Sequence, residues 1–275
     1  MSEAFFEPEG DGVYLASEQT RGPWDPGAQH AGPPAALVGR AIESLTGGRI
    51  GGPEGPPAQT ARITYEVMRS VPIGRLRVSA EVLRPGRRVE MVGASLTDEA
   101  GVELMRAQGW RIRAAEVSFA QPQGLPQAPP GPAAGEETGF FPTGHDVGYH
   151  TAMEYRFVEG AFTEPGPAVV WMRPRVSLVA GEELSPLQRV LVAADSGNGV
   201  SAALDWRRYL FINVDLSVHL HRMPAGEWVC LDAVTLPEPN GVGMADTALF
   251  DERGPIGRAT QTLLVDEREP SGETR

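Results

Sequence analysis

The sequence predicts an α+β fold built from two similar units, each a long helix wrapped by an antiparallel sheet. Three observations predict it. First, Asp98-Glu99-Ala100-Gly101 leading to Gln108 is answered by Asp251-Glu252-Arg253-Gly254 leading to Gln261, with Arg69 and Arg222 upstream, and every pair is separated by 153 residues. Second, at that single offset residues 61–112 and 214–265 also match at Ala80/Ala233, Leu83/Leu236, Val89/Val242, Met91/Met244 and Leu96/Leu249, with no gap. Third, each unit shows the same succession of strand-like opening, Pro-started helical run and alternating strands.

The openings are Gly12 to Ala16 in the first unit, and Met153 to Val158 with Ala168 to Met172 in the second. The helices follow. Gly32-Pro33-Pro34 starts an Ala/Leu/Val-rich run to about Leu45, and Ser185-Pro186 starts one to about Asp195. Gly or Ser before Pro is a helix-start pattern, because proline's missing N–H costs nothing in the first turn. Beyond the second helix, Val214, Leu216, Val218 and Leu220 alternate with Asn213, Asp215, Ser217, His219 and His221. The first unit answers with Ile63, Tyr65 and Val67 against Arg62, Thr64 and Glu66. Two further strands turn at Asp98 to Gly101 and at Asp251 to Gly254. An up-and-down barrel is disfavoured, since it leaves both apolar helices without a partner.

The expected organisation is an N-terminal unit over 1–113, a Pro/Gly-rich linker over 114–148, a C-terminal unit over 149–269 and a tail over 270–275. The linker contains Gln121-Pro122-Gln123-Gly124-Leu125-Pro126 and Pro129-Pro130-Gly131-Pro132, which cannot sustain a ladder or a helix. Its end, Phe140-Phe141-Pro142, is apolar enough to dock on a surface. Gly47 to Ala58 is a second Gly/Pro-rich loop.

A net charge of −12 spread along the chain argues against nucleic acid and anionic membrane as partners. All 24 basic residues are Arg, which excludes Schiff-base chemistry, pyridoxal phosphate and a P-loop lysine. The single cysteine, Cys230, sits in an apolar run as a buried thiol and fits a reducing cytosol. No apolar run approaches bilayer length, so a soluble cytoplasmic protein is expected. There is no G-x-S-x-G, no H-E-x-x-H, no paired Cys and no dinucleotide fingerprint, so neither a metal nor a cofactor is expected.

Val192-Ala193-Ala194-Asp195 at a helix end, Asn213-Val214-Asp215-Leu216-Ser217 with His221-Arg222 behind, and Asp251 to Gly254 leading to Gln261 resemble the double-hotdog acyl-CoA thioesterases of the thioesterase II type. The resemblance covers nearly the whole chain apart from linker and tail. It implies two fused hotdog repeats, an acyl-CoA substrate, and hydrolysis to free acid and CoA. It also implies that a helix-end aspartate, a strand Thr or Ser and a late Gln hold a water beside the thioester carbonyl. Those positions fall on Asp195, Asn213 and Gln261. Asn213 departs from the pattern, because an amide can hydrogen-bond a water but cannot relay a proton as a hydroxyl does.

The residues themselves support these roles. Asp195 follows small and apolar residues at the negative end of a helix dipole, surroundings that make a carboxylate a better proton acceptor than one on open surface. It equally reads as a polar helix terminus before the Ser196-Gly197-Asn198-Gly199 turn. Its counterpart at the 153 offset is Ile42, whereas Gln108 keeps the glutamine, so one centre in the second unit is expected. His30 and Gly32 stand before the first helix, where helix N-termini face ligands. Arg84, Arg87 and Arg88 could hold CoA phosphates or form a solvated hairpin. His219 and His221 read as surface residues, and the five tryptophans as core and seam. Two alternatives stand beside hydrolysis. One is a non-catalytic acyl-CoA binding protein; the other is an enoyl-thioester hydratase, ranked lower because Asp195 has no His in its own segment. Pairing of the outer sheet would give a homo-oligomer, a dimer of double hotdogs.

Overall fold

The computed structural model describes residues 3–46, 48–51, 55–120, 124, 126–140 and 143–268. The expected tail over 270–275, Gln121-Pro122-Gln123, Leu125, Phe141-Pro142 and parts of the Gly47 to Ala58 loop lie outside them. Fifteen strands and four α-helices are present among the described residues. The first run comprises β1 (Ala4–Gly10), β2 (Val13–Ala16), α1 (Gly32–Glu43), β3 (Ala58–Val67), β4 (Arg75–Arg84), β5 (Val89–Asp98) and β6 (Glu103–Arg113). After β7 (Glu136–Glu137) and α2 (Tyr149–Ala152), the second comprises β8 (Met153–Ala161), β9 (Glu164–Pro174), β10 (Ser177–Val179), α3 (Pro186–Ala194), α4 (Gly197–Val200), β11 (Tyr209–Asn213), β12 (Asp215–Leu220), β13 (Val229–Pro237), β14 (Val242–Asp251) and β15 (Gly254–Glu267).

All strands join one sheet. Its first half runs β10-β1-β2-β4-β5-β6-β3 and its second β12-β15-β14-β13-β9-β8-β7, with β11 beside β15. Apart from the end strands β10 and β7, the two halves show the same strand order in mirror sequence about the seam. There β3 and β12 pair antiparallel from Asp215↔Glu66 to His219↔Arg62. Strand pairs away from the seam keep the 153 spacing, as in Ala80↔Ala94 and Ala233↔Thr247.

The sheet buries its inner face against α1 and α3, which lie side by side and antiparallel. Gly32 at the start of α1 backs onto the Val192 carbonyl, with no room for a Cβ, and Gly39 meets the Leu191 side chain. At the other end Ser185 Oγ donates to Glu43 Oε2 at 2.7 Å, and Arg40 pairs with Glu182. The shared core takes Leu37, Val38 and Ile42 from α1, Val190, Leu191 and Val192 from α3, and Ile63, Tyr65, Leu216 and Val218 from the seam strands. A second small cluster surrounds Cys230 with Trp171, Trp228 and Phe250. Among the described residues no helix is long and apolar enough to cross a membrane.

Four features depart from the sequence reading. β1 is a strand despite Glu7, Pro8 and Glu9, because Phe5 and Phe6 are fully buried and anchor it between β10 and β2. The linker sustains a short ladder, Glu136↔Phe157 and Glu137↔Arg156, along the free edge of β8. The expected alternation breaks at Val214, between β11 and β12, where the pairing to β15 slips by one residue. A one-residue slip exchanges faces, so Val214 is exposed while Asn213 turns inward.

The fourth is a second slip, in the last strand of each half. The first hairpin closes Thr97↔Glu103 and the second, tighter, closes Asp251↔Gly254. Beyond these turns Val92 faces Gly109, whereas Ala245 faces Gln261. The structural counterpart of Gln261 is therefore Gly109, not Gln108, which is exposed on the outer face. Gln108 is a repeat of sequence without being a repeat of place.

Candidate functional site

Asp195 is the residue on which α3 ends. Ser185 starts that helix with a capping box, its Oγ accepting from Gln188 N–H at 3.1 Å while Gln188 Oε1 accepts from Ser185 N–H at 3.2 Å. From Pro186 the helix runs to Ala194, burying Leu187, Val190, Leu191 and Val192, and delivers Asp195 to the seam at 5% exposure.

Asp195, Asn213 and Gln261 meet. Asn213 Nδ2 donates to Asp195 Oδ1 at 2.9 Å and to the Asp215 carbonyl at 3.3 Å. Gln261 Nε2 donates to the Asp195 carbonyl at 3.1 Å and to Oδ1 at 3.3 Å, and Gln261 Oε1 accepts from Asn198 N–H at 3.1 Å. Both amide nitrogens are thus committed to Asp195 and its surroundings. They load Oδ1 with two donors and leave Oδ2 to other contacts. Gly197 permits this arrangement, since a Cβ there would lie 2.6 Å from Thr247 Oγ1 and 3.0 Å from Gln261 Oε1.

Oδ2 faces His30, from the first half, with Nδ1 3.2 Å away. Gly32 N–H donates to the same Nδ1 at 3.1 Å. Burial holds His30 below the ordinary imidazole range, and the Asp195 charge pulls the other way. Its ring stacks on Tyr149, with centroids 3.7 Å apart and planes 10° from parallel. The Tyr149 hydroxyl donates to the Val192 carbonyl at 2.7 Å and accepts from Ser196 Oγ at 2.9 Å. Burial pushes this phenol well above its usual range, so it stays a donor. Nothing in the spacing of a sequence brings residue 30 to residue 195; the antiparallel packing of α1 on α3 does.

Asp195, Asn213 and His30 line a cavity of about 390 Å³, apolar in its greater part and bordered by Trp24, Tyr149, Tyr155, Phe162 and Phe211, with the buried Gln261 behind them. Such a volume suits a small organic ligand. Arg69, an exposed guanidinium with no side-chain partner among the described residues, also lines it. Arg84, Arg87 and Arg88 do not. They stand at the β4–β5 hairpin, beside the start of β3, whereas the cavity lies at its end near Val67. Ten strand residues, or ~33 Å, separate the two. Gly32 serves the site through its backbone, and His219 and His221 are exposed on the outer face.

The matching helix end in the first half is closed. Arg111 Nη1 donates to the Ile42 and Leu45 carbonyls at 3.4 and 3.2 Å, and Nη2 to the Ile50 carbonyl at 3.2 Å. The fully buried Glu90 neutralises it, accepting from Arg111 Nε at 2.8 Å and from Nη2. An ion pair thus occupies the space that the second half leaves open. Among the described residues no group of three or more His, Cys, Asp and Glu is placed to hold a metal.

Comparison with known families gives two matches in series. Residues 20–112 match the model of the acyl-CoA thioesterase N-terminal domain, and residues 122–265, more than half of the chain, match that of the acyl-CoA thioesterase C-terminal domain. Among curated proteins none matches the chain. Several solved structures share the fold. A Thermobifida fusca protein provisionally named thioesterase II is similar at TM-score 0.72 and 18% identity, over 95% of each chain. An Alicyclobacillus acidocaldarius protein with a hot dog fold is similar at TM-score 0.69 and 14% identity, over 95% of this chain and 96% of that one. An acyl-CoA thioesterase II from Mycobacterium marinum is similar at TM-score 0.61 and 15% identity, over 97% of each.

Proposed function

The chain belongs to the acyl-CoA thioesterase family, and from that premise we propose that it hydrolyses acyl-CoA thioesters to the free acid and CoA at Asp195. The observation that carries the reading is the loading of one carboxylate oxygen. Asn213 and Gln261 both donate to Oδ1, which fixes the carboxylate and directs Oδ2 toward His30 and the cavity. In this mechanism a water held by Oδ2 and the free Asn213 carbonyl oxygen attacks the thioester carbon as Oδ2 takes its proton. The positive end of the α1 dipole borders the cavity at His30 and Ala31 and favours the developing oxyanion, although Pro33 and Pro34 offer no N–H and Gly32 N–H is held by His30 Nδ1. Collapse of the intermediate breaks the C–S bond, and the proton returns to the departing thiolate.

We assign Arg69, rather than Arg84, Arg87 and Arg88, to the phosphates of CoA. The chain is read as two fused hotdog repeats, over 1–113 and 149–269, joined by 114–148, with one catalytic centre whose acid belongs to the second and whose wall and CoA contacts come from the first, because Arg111 and Glu90 close the matching place in the first. Cytoplasmic location and a homo-oligomer, a dimer of double hotdogs, belong to the same proposal.

A thiol-release assay across acyl-CoA chain lengths tests it. Turnover by the wild type with a loss of about 100-fold or more in Asp195→Asn is expected; an Asp195→Asn variant as active as the wild type removes the mechanism. Calorimetric binding of acyl-CoA without turnover would establish the non-catalytic alternative. The His30–Asp195 contact supplies the acid–imidazole pair missing from the sequence around Asp195, and so favours enoyl-thioester hydration as a second reading. Loss of 2-enoyl-CoA absorbance without thiol release would establish that reading in place of hydrolysis.

A further inference from the structure

β11 and β12 pair with the same strand, β15, in registers that differ by one residue: Asn213 faces Leu263, whereas Ser217 faces Thr260. Val214 and Asp215 therefore share Thr262 as their opposite number, which is the arrangement of a β-bulge. A bulge disrupts the ladder, and the backbone groups it frees need other partners. Val214 N–H still donates to the Thr262 carbonyl at 3.0 Å, but the Val214 carbonyl is turned across the seam and accepts from Val67 N–H at 2.9 Å. Thr262 N–H thereby loses its ladder acceptor, and the Asp215 side chain supplies one. Oδ1 accepts from Thr262 N–H at 2.5 Å and Oδ2 from Thr262 Oγ1 at 3.2 Å.

The backbone of the same residue holds Asn213, since the Asp215 carbonyl accepts from Asn213 Nδ2 at 3.3 Å. Asn213 directly precedes Val214, and Gln261 directly precedes Thr262. The Asp215–Thr262 clamp thus stands beside both amides that donate to Asp195 Oδ1. We propose that Asp215 is a positioning residue of the Asp195 centre: its carboxylate locks the bulge on Thr262, and the locked bulge keeps Asn213 and Gln261 aimed at Asp195. The inference rests on the thioesterase reading of that centre. An unbroken ladder would carry Asn213 to the outer face, because a one-residue change of register exchanges the faces of a strand. Asp215 does not border the cavity, so it acts only through the two amides.

The test compares Asp215→Ala with Asp215→Asn. The asparagine keeps an oxygen for Thr262 N–H and offers a donor to Thr262 Oγ1, whereas alanine removes both acceptors. Thiol release by Asp215→Ala should fall about tenfold or more in kcat with KM within about twofold, and Asp215→Asn should stay within about threefold of the wild type. In an Asn213→Ala background the alanine substitution should cost less than it does alone, because residues in one hydrogen-bond network are not additive. Asp215→Val, suited to a strand, provides a second variant if Asp215→Ala does not fold. Wild-type kcat in the alanine variant, an equal loss in Asp215→Asn, or full additivity with Asn213→Ala overturns the inference. Hydrogen exchange at Thr262 N–H and the Asn213 side-chain amide resonances read the clamp without turnover. Faster exchange and shifted resonances in Asp215→Ala, with no thiol released by the wild type, uphold the clamp and count against the thioesterase reading alone. Unchanged exchange and resonances in a protein that hydrolyses acyl-CoA count against the clamp alone.

Discussion

Thr64 and Ser217 face each other across the seam of the sheet, Ser217 Oγ donating to Thr64 Oγ1 at 3.1 Å, and they stand 153 residues apart in the chain. The spacing that relates the two halves therefore passes through this one pair. Tyr65 opposite Leu216 and Ile63 opposite Val218 follow symmetrically on either side. Around that axis the halves have diverged, and the divergence is where the predictions lie.

Gln261 holds Asp195 by two hydrogen bonds and satisfies Asn198 N–H with its oxygen. Gln261→Met keeps the bulk and removes all three. kcat should fall about 10- to 100-fold with KM little changed, since the acid is misplaced while the slot is intact. Steady-state kinetics on the variant check the split.

Gly32→Ala should be costly to both fold and activity. Its Cβ would come 2.3 Å from the Val192 carbonyl, so α1 must move away from α3 and carry His30 off Asp195. A loss of about 1–3 kcal/mol in denaturant unfolding is expected, together with reduced turnover.

His30 gives a pH dependence of defined sign. Unfolded, an imidazole binds a proton below about pH 6.5, whereas burial holds the folded ring lower. As pH falls the unfolded state takes up protons first, so stability present above about pH 6.5 is lost as pH falls through the folded value. His145 and His150 are also held low by burial and act in the same direction. Tm measured from pH 8 to 5 should decline on the acid side, and less steeply in His30→Gln.

Arg222 and Asp251 have become structural. Asp251 is fully buried and accepts from Arg222 Nη1 and Nη2 at 2.5 and 2.6 Å, from Ala225 N–H at 2.7 Å and from Arg253 N–H at 2.8 Å. Burial opposes its charge, but Arg222 and the backbone donors outweigh it and hold the carboxyl below its usual range. Arg222→Ala leaves that carboxylate buried and poorly paired. It should cost about 3–5 kcal/mol in chemical denaturation, a loss shrinking at acid pH where the group is protonated.

Cys230 is fully buried in the Trp171, Trp228 and Phe250 cluster, and burial pushes its thiol well above the ordinary range. A thiol reagent should leave the native protein unlabelled and modify one site per chain on unfolding.

Much of this was legible from residues alone, for a physical reason. Helix starts at Pro33 and Pro186, the helix-end placement of Asp195 and the turn signals at Asp98 and Asp251 are local, and local chemistry decides them. The register slips are not local. The break at Val214 that turns Asn213 inward, and the tighter hairpin that puts Gln261 inside and Gln108 outside, depend on how neighbouring strands pair. The closure of the first helix end by Arg111 and Glu90, and the approach of His30 to Asp195, likewise require the packed molecule.

That approach has a consequence for how the protein would fail. The acid belongs to one half and its imidazole neighbour to the other, and the packing of α1 on α3, with Tyr149 stacked on His30 and bonded to the Val192 carbonyl, keeps them in register. Mild denaturant or heat that lets α1 slide on α3 would abolish the proposed turnover while the sheet stays intact. Inactivation should therefore precede the loss of β-sheet circular dichroism.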